Sequence, residues 1–269
     1  MKILSRTFAL LAMAAVSQVQ AQEKLDIVTH DFPPYSIEGP NGVLQGSYVE
    51  LVQRVCQKAG LNCSIRQLPF RRATAELAEG LAMGHFPLGW NKERMERMHF
   101  SVPLQYLEYG FFVRQGSPLA APWHKSLAGK TVGVVGPSNT EKMLKEVLAE
   151  QEAAKIPALT IQLFATEAGQ GARMVSEGRL DANFGNRDTT NYFANKLEVK
   201  NLTYGGKVFD GLYVIGFNKE KTPIAAIEKF NRAAIELMKA NGFAEILKRW
   251  DAKSPTVDLA AWEKMGMPR

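Results

Sequence analysis

Asn91-Lys92-Glu93-Arg94-Met95-Glu96-Arg97-Met98-His99-Phe100-Ser101-Val102-Pro103-Leu104 sets Arg94 six residues ahead of an apolar Phe-Ser-x-Pro run that opens a strand. A guanidinium held at a loop or helix start beside a strand offers a rigid fork of N–H donors that fits a carboxylate in two-point contact, which a lysine ammonium does not match. Arg94 is therefore the leading candidate for ligand binding. A competing reading makes Lys92, Arg94 and Arg97, with Glu93 and Glu96, one solvated helical face. For this segment taken alone, that second reading carries more weight. The rest of the chain reverses the balance.

Residues 1–21 open with Lys2 and Arg6, continue through an apolar run from Phe8 to Val16, and end in the small-residue pattern Val19-Gln20-Ala21. This reads as a secretory signal cleaved before Gln22. The run falls short of the roughly 20 apolar residues a spanning helix needs, and no later segment reaches that length. A soluble, exported product is expected. Its 248 residues suffice for one large core or two smaller ones, and two lobes are expected. Losing Lys2 and Arg6 from 33 basic residues leaves 31 against 27 acidic ones, a net charge of +4. That excess is spread through Lys-Glu mixtures, with no basic block or aromatic-basic stripe, so a nucleic-acid partner is discounted.

The only two cysteines, Cys56 and Cys63, lie in the exported part. An oxidising compartment favours a bridge between them. Tyr48, Leu51, Val52 and Val55 fall at helical spacing, Gly60 supplies a stop, and Ser64-Ile65 starts a strand, so the bridge would staple a helix end to the next strand. Closing so short a loop contributes roughly 2 kcal/mol. A metal pair would need further ligands, and His30, His85, His99 and His124 are scattered along the chain. A catalytic thiol is likewise unsupported.

Along the mature chain strands and helices alternate. Strands are expected at 25–29, 63–67, 83–88 and 109–114, and helices at 47–58 and 72–80. Gln115-Gly116-Ser117-Pro118 breaks the pattern. A second cycle follows, with strands at 131–135, 159–164 and 182–185 and helices at 140–151, 169–177 and 188–195. A strand at 212–217 and a long amphipathic helix at 224–240 close the chain. Such alternation implies an α/β protein with parallel-rich sheets in two units. The two apolar strands flanking the second cycle would cross between lobes. Ligands in such folds bind at strand carboxyl ends, here the cleft between lobes.

With these residues in view, the chain resembles the family 3 bacterial extracellular solute-binding proteins, periplasmic receptors for polar amino acids and related solutes. The resemblance rests on Phe32-Pro33-Pro34-Tyr35, the helix opening at 46–51, Glu93-Arg94 with Phe100-Ser101-Val102-Pro103-Leu104, and Gly129-Lys130-Thr131-Val132-Gly133-Val134. Gly178-Arg179-Leu180-Asp181-Ala182 and the closing Asn241-Gly242-Phe243 and Arg249-Trp250 complete it. It implies a two-lobed periplasmic binding protein of type II. Lobe 1 would comprise 22–112 and 212–269, and lobe 2 would comprise 113–211. It further implies a monomer without metal or cofactor that takes a small-molecule carboxylate and works with an inner-membrane ABC permease or a sensor. The cysteine pair resembles the bridge of the histidine-binding and lysine/arginine/ornithine-binding members.

The resemblance also assigns roles. Arg94 matches the arginine that binds the ligand carboxylate, and Phe32 and Phe70 match positions that sandwich the ligand from lobe 1. Both phenylalanines sit next to prolines that stiffen their loops, although core packing is an equal alternative for Phe70. Tyr35 is read as structural. In lobe 2, Gly136-Pro137-Ser138-Asn139-Thr140 joins a strand to a helix, so Ser138, Asn139 and the backbone N–H groups form an anion-friendly corner, compatible with helix capping.

Three departures from the family pattern bear on the ligand. Asn186 stands where the amino-acid receptors carry an aspartate for the ligand ammonium, and a neutral amide lacks its counter-charge. Asp188 is the possible substitute, with capping of the following helix at least as strong a reading. Gly89 and Trp90-Asn91 replace a hydroxyl-rich turn, which brings Trp90 into the candidate site, and Arg71 or Arg72 is a further candidate for a second anionic group. The rival function is an exported enzyme on the same scaffold, resembling the cyclohexadienyl dehydratases, with His85, Glu108, Asp31 and Asp188 as its available acid-base groups.

Overall fold

The structure is a computed structural model that describes residues 24–90, 92–166, 169–256, 258 and 260. The expected signal at 1–21 lies outside the described residues. The chain opens with β1 (Lys24–Thr29), a small hairpin of β2 (Ile37–Glu38) and β3 (Leu44–Gln45), and α1 (Ser47–Ala59). Tyr48, Leu51, Val52 and Val55 form the buried face of α1. Gly60, at φ 64°, ends the helix in the left-handed region, its N–H donating to the Cys56 and Gln57 carbonyls. The Cys56–Cys63 disulfide then ties α1 to β4 (Asn62–Gln67), with Cα atoms 6.1 Å apart.

Next come α2 (Phe70–Ala78), β5 (Gly84–Gly89), the one-and-a-half-turn α3 (Lys92–Arg97), β6 (Met98–Phe100) and β7 (Gln105–Arg114). The second cycle comprises α4 (Trp123–Ser126), β8 (Thr131–Val135), α5 (Asn139–Ala153), β9 (Thr160–Phe164), α6 (Gln170–Ser176), β10 (Ala182–Asn186) and α7 (Arg187–Lys196). The long β11 (Leu202–Asn218), α8 (Ile224–Lys239) and α9 (Ala244–Arg249) complete the order.

Nine strands form one mixed sheet, in the order β4-β1-β5-β11-β7-β10-β8-β9, with β6 also paired to β11. Parallel pairing holds within β4-β1-β5 and within β10-β8-β9, and every contact of β7 and β11 is antiparallel. The two parallel groups are thus joined by a β7–β11 ladder whose register shifts twice, between Tyr204 and Gly206 and between Lys207 and Phe209. A Cβ on Gly110 would lie 2.2 Å from the Gly206 carbonyl oxygen, so the strands approach there as only glycine allows.

Two hydrophobic cores flank this ladder. The first gathers Leu25, Ile27, Val52, Phe86, Ile215 and Phe230, and the second gathers Phe111, Val132, Val134, Leu144 and Phe184. Tyr109 packs against both. Along β7 the passage from one core to the other therefore falls between Leu107 and Phe111. The elements differ from expectation at their ends. Helix α2 starts at Phe70 rather than at residue 72, because Pro69 fixes the turn before it. Strand β7 starts at Gln105 rather than at 109, and β11 begins ten residues before 212, because pairing with β7 overrides its glycines and charges.

Candidate functional site

Because β4, β1 and β5 run parallel, their carboxyl ends share one edge of the sheet. Phe70 follows β4 there, His30 and Phe32 follow β1, and Trp90 and Arg94 follow β5. The rings converge. His30 stacks on Phe32 with centroids 5.5 Å apart and meets Phe70 edge-on at 4.8 Å. Phe70 is 46% exposed. Phe32 also touches Tyr35 and Tyr213. Arg94, half-buried in α3, donates from Nη1 to the Gly89 carbonyl at 2.6 Å, which fixes the guanidinium against the end of β5.

Beneath these rings lies a pair the sequence reading treated as scattered. His30 Nδ1 and His85 Nε2 are 3.1 Å apart. Parallel pairing of β1 with β5 places His85 opposite Val28 and so brings together residues 55 positions apart. Burial and the nearby Arg94 charge push the His30 imidazole down to about 4. Burial, with His30 and Arg94, pushes His85 down to about 3. Both rings are therefore neutral at physiological pH. Among the described residues no cluster of three or more His, Cys, Asp or Glu side chains gathers at metal-binding distance.

The other expected residues are placed as follows. Trp90 packs with Met95 and Met98 against Phe100 and Val214, and its buried indole N–H lacks a protein acceptor. Ser138 caps α5: its hydroxyl accepts from the Glu141 N–H and donates to the Val135 carbonyl at 2.5 Å. Asn139 is exposed. The Glu141 carboxylate lies over Gly136 and pairs with Lys145, so the expected anion corner carries an acidic neighbour. Arg72 is paired with Glu76, and Arg71 is exposed.

Asn186 is fully buried at the end of β10. Its Oδ1 accepts from the Thr189 N–H, capping α7, and from the Tyr35 hydroxyl, while Nδ2 donates to the Tyr213 hydroxyl at 3.3 Å. Asp188 Oδ1 accepts from Arg187 Nε at 3.1 Å and Oδ2 from Tyr35 at 3.2 Å. Burial lifts the Asp188 carboxyl above the usual range, against the pull of Arg187. Arg187 in turn faces Glu108 at 3.7 Å, and Glu108 pairs with Lys253. Asn186 and Asp188 thus stand together at one edge, both bonded to Tyr35 from the other half of the sheet. Sequence reading missed His30 and the connecting role of Tyr35. The signal for both was position: each lies in the short segment after β1, at the shared carboxyl edge of the parallel strands.

Two halves, each with its own core and a parallel strand group, joined by a paired crossing ladder, define a two-lobed periplasmic binding protein. The sequence profile of the bacterial extracellular solute-binding proteins, family 3, matches residues 25–253, and the chain belongs to that family. It is 25% identical over 252 residues to the probable amino-acid ABC transporter periplasmic-binding protein y4tE of Sinorhizobium fredii, covering 88% of this chain and 80% of the relative. Among solved structures, the probable amino-acid ABC transporter extracellular-binding protein ytmK of Bacillus subtilis superposes with TM-score 0.74 at 18% identity, covering 85% of this chain and 97% of that one. A histidine kinase sensor domain with similarity to periplasmic binding proteins gives TM-score 0.70 at 20% identity, covering 87% and 99%. At these identities the two structures testify to the fold alone.

Proposed function

We propose that the protein is a non-catalytic periplasmic receptor, exported through a signal at 1–21, that closes on a small carboxylate-bearing solute and delivers it to an inner-membrane ABC permease. The lobes are taken as 22–112 with 212–269, and 113–211, with the crossing on β7 a few residues earlier, between Leu107 and Phe111, so the hinge lies in the β7–β11 ladder. The observation that carries the reading is Arg94: a half-buried guanidinium oriented by the Gly89 carbonyl at the carboxyl edge of the sheet, beside the aromatic rings of Phe32 and Phe70. Arg94 binds the carboxylate, Phe32 and Phe70 hold the solute body, and Trp90 offers its indole N–H. Ser138, Asn139, Asn186 and Asp188 face it from the second lobe on closure. The Cys56–Cys63 bridge accords with an oxidising compartment.

Because Asn186 is neutral and Asp188 is paired with Arg187, the pocket favours a solute without an α-ammonium. The histidines, held well below their usual range, make weak general bases at neutral pH, which supports a receptor over a dehydratase. Native mass spectrometry of protein taken from the periplasm, followed by calorimetry of the co-purified solute, tests the proposal. One-to-one binding of an unchanged carboxylate is expected. Turnover of prephenate or arogenate, or a solute lacking any acid group, would overturn it. The likeness to a kinase sensor domain gives one second reading, the same closure read out by a signalling partner. A transport defect on deletion separates the two.

A further inference from the structure

His85 is fully buried, and its Nδ1 has no hydrogen-bond partner, while its Nε2 meets His30 Nδ1 at 3.1 Å. Only one proton can lie between these two nitrogens, so the tautomers of the rings are coupled. If His30 supplied it, His85 would carry a buried N–H at Nδ1 with no acceptor. If His85 supplies it from Nε2, its Nδ1 keeps only a lone pair. Orphaned buried N–H groups are the rarer defect. The positive charge of Arg94 acts on both rings and works against further protonation at either. His85 is therefore the donor, His30 Nδ1 the acceptor, and the remaining proton of His30 sits on Nε2. The His30 ring is 9% exposed and is wedged between Phe32 and Phe70 at the edge that carries Arg94.

We propose that His30 is a ligand-binding residue: its Nε2–H donates to the solute's anionic group beside Arg94, and His85 is the positioning residue that sets its tautomer. A neutral donor adds specificity without adding charge, so the site takes a monoanion through one cation and one directed N–H. The proposal rests on the reading of Arg94 as the carboxylate anchor, and the experiment keeps the two apart.

Protein carrying 15N-labelled histidine and arginine is examined by long-range 1H–15N correlation at neutral pH. Both His30 and His85 are expected as neutral Nε2–H tautomers. An Nδ1–H or doubly protonated His30 overturns the proposal. Acetate, as the minimal carboxylate, is then titrated, with methylammonium as the opposite charge. The His30 Nε2 and Arg94 Nε resonances are expected to move together with acetate and to ignore methylammonium. Movement of Arg94 without His30 overturns the His30 assignment and leaves the receptor reading standing, and movement of neither removes both. His30→Phe should weaken the acetate response on the order of tenfold or more. His30→Gln, whose side-chain amide still offers an N–H, should retain most of it. Equal losses in both variants would reduce His30 to packing.

Discussion

The Tyr35 hydroxyl lies 3.0 Å from Asn186 Oδ1 and 3.2 Å from Asp188 Oδ2, joining the loop after β1 to the end of β10 across 151 positions of sequence. Tyr35 is fully buried in the first core, and burial together with the Asp188 charge holds its phenol well above the usual range, so the hydroxyl remains a donor. Its single hydrogen is shared between two acceptors of the opposite half. The contact ties the two halves of the sheet together.

Tyr35→Phe should therefore cost about 1 to 2 kcal/mol, since the buried Asn186 and Asp188 oxygens each lose a donor. It should also enlarge the ligand-free radius of gyration in solution scattering. Unaltered melting and unaltered scattering together would show that the hydroxyl joins nothing.

Arg94→Lys keeps the charge and loses the fork. A charge-assisted hydrogen bond is worth roughly 1.5 to 3 kcal/mol, so affinity for the co-purified solute should drop on the order of ten- to a hundredfold. Calorimetry decides: an unchanged dissociation constant would return Arg94 to the solvated charge face.

Acid should weaken the fold through the histidine pair. In the unfolded chain an imidazole titrates near pH 6.5, and here the folded values lie near 4 for His30 and 3 for His85. With the folded pKa below the unfolded one, the unfolded state takes up protons first. The stabilisation is complete above about 6.5 and drains away as pH falls toward those lower values. Urea melts between about pH 7 and pH 5 should show the decline, and His85→Leu should flatten it. A wild-type profile that is level over this range would mean the rings take up protons in the fold as readily as in the unfolded chain.

Asn186→Asp would place a second carboxyl beside Asp188 at a fully buried position whose Nδ2 now donates to Tyr213. The protein should melt lower at neutral pH, where ionising the new group sets two carboxylates side by side, and recover as the medium is acidified, because burial and Asp188 raise its pKa and acid neutralises it. In a thermal-shift panel the variant should respond more to basic amino acids and less to dianions than the wild type. An identical ranking in both proteins would remove Asn186 from solute selection.

Cys63→Ser should lower stability by roughly 2 kcal/mol on the chain-entropy account of a short loop, and leave affinity for the co-purified solute intact. Loss of binding in protein that remains folded would contradict a purely structural bridge.

What could be read in advance follows from the range of the interactions. The parallel strands and helices of both halves announce themselves through local apolar periodicity, as in Val132 and Val134 of β8 or Leu51 and Val55 of α1. The residues 202–211 of β11 do not. Gly205, Gly206, Lys207, Asp210 and Gly211 argue against a strand, and only the pairing with β7 makes one. Strand β6 is three residues long and shows no periodicity of its own, while α3, six residues long, is visible only as the charged face of Lys92, Arg94 and Arg97. Charge and neighbouring prolines mark Arg94, Phe32 and Phe70 locally as candidates, and the fold sets all three after strands whose carboxyl ends share one edge. The His30–His85 contact depends on the register of β1 against β5 across an intervening hairpin, helix, strand and helix, information that no window of sequence contains.

The disulfide meets the sheet where Leu25 pairs with Cys63, near the amino end of β1, whereas His30 follows the carboxyl end of the same strand. Five residues of extended chain separate them, about 16 Å. The stapled end and the proposed binding edge are thus opposite poles of one strand. Reducing or oxidising the surroundings should change how long the receptor survives, while its choice of solute is insulated from that chemistry.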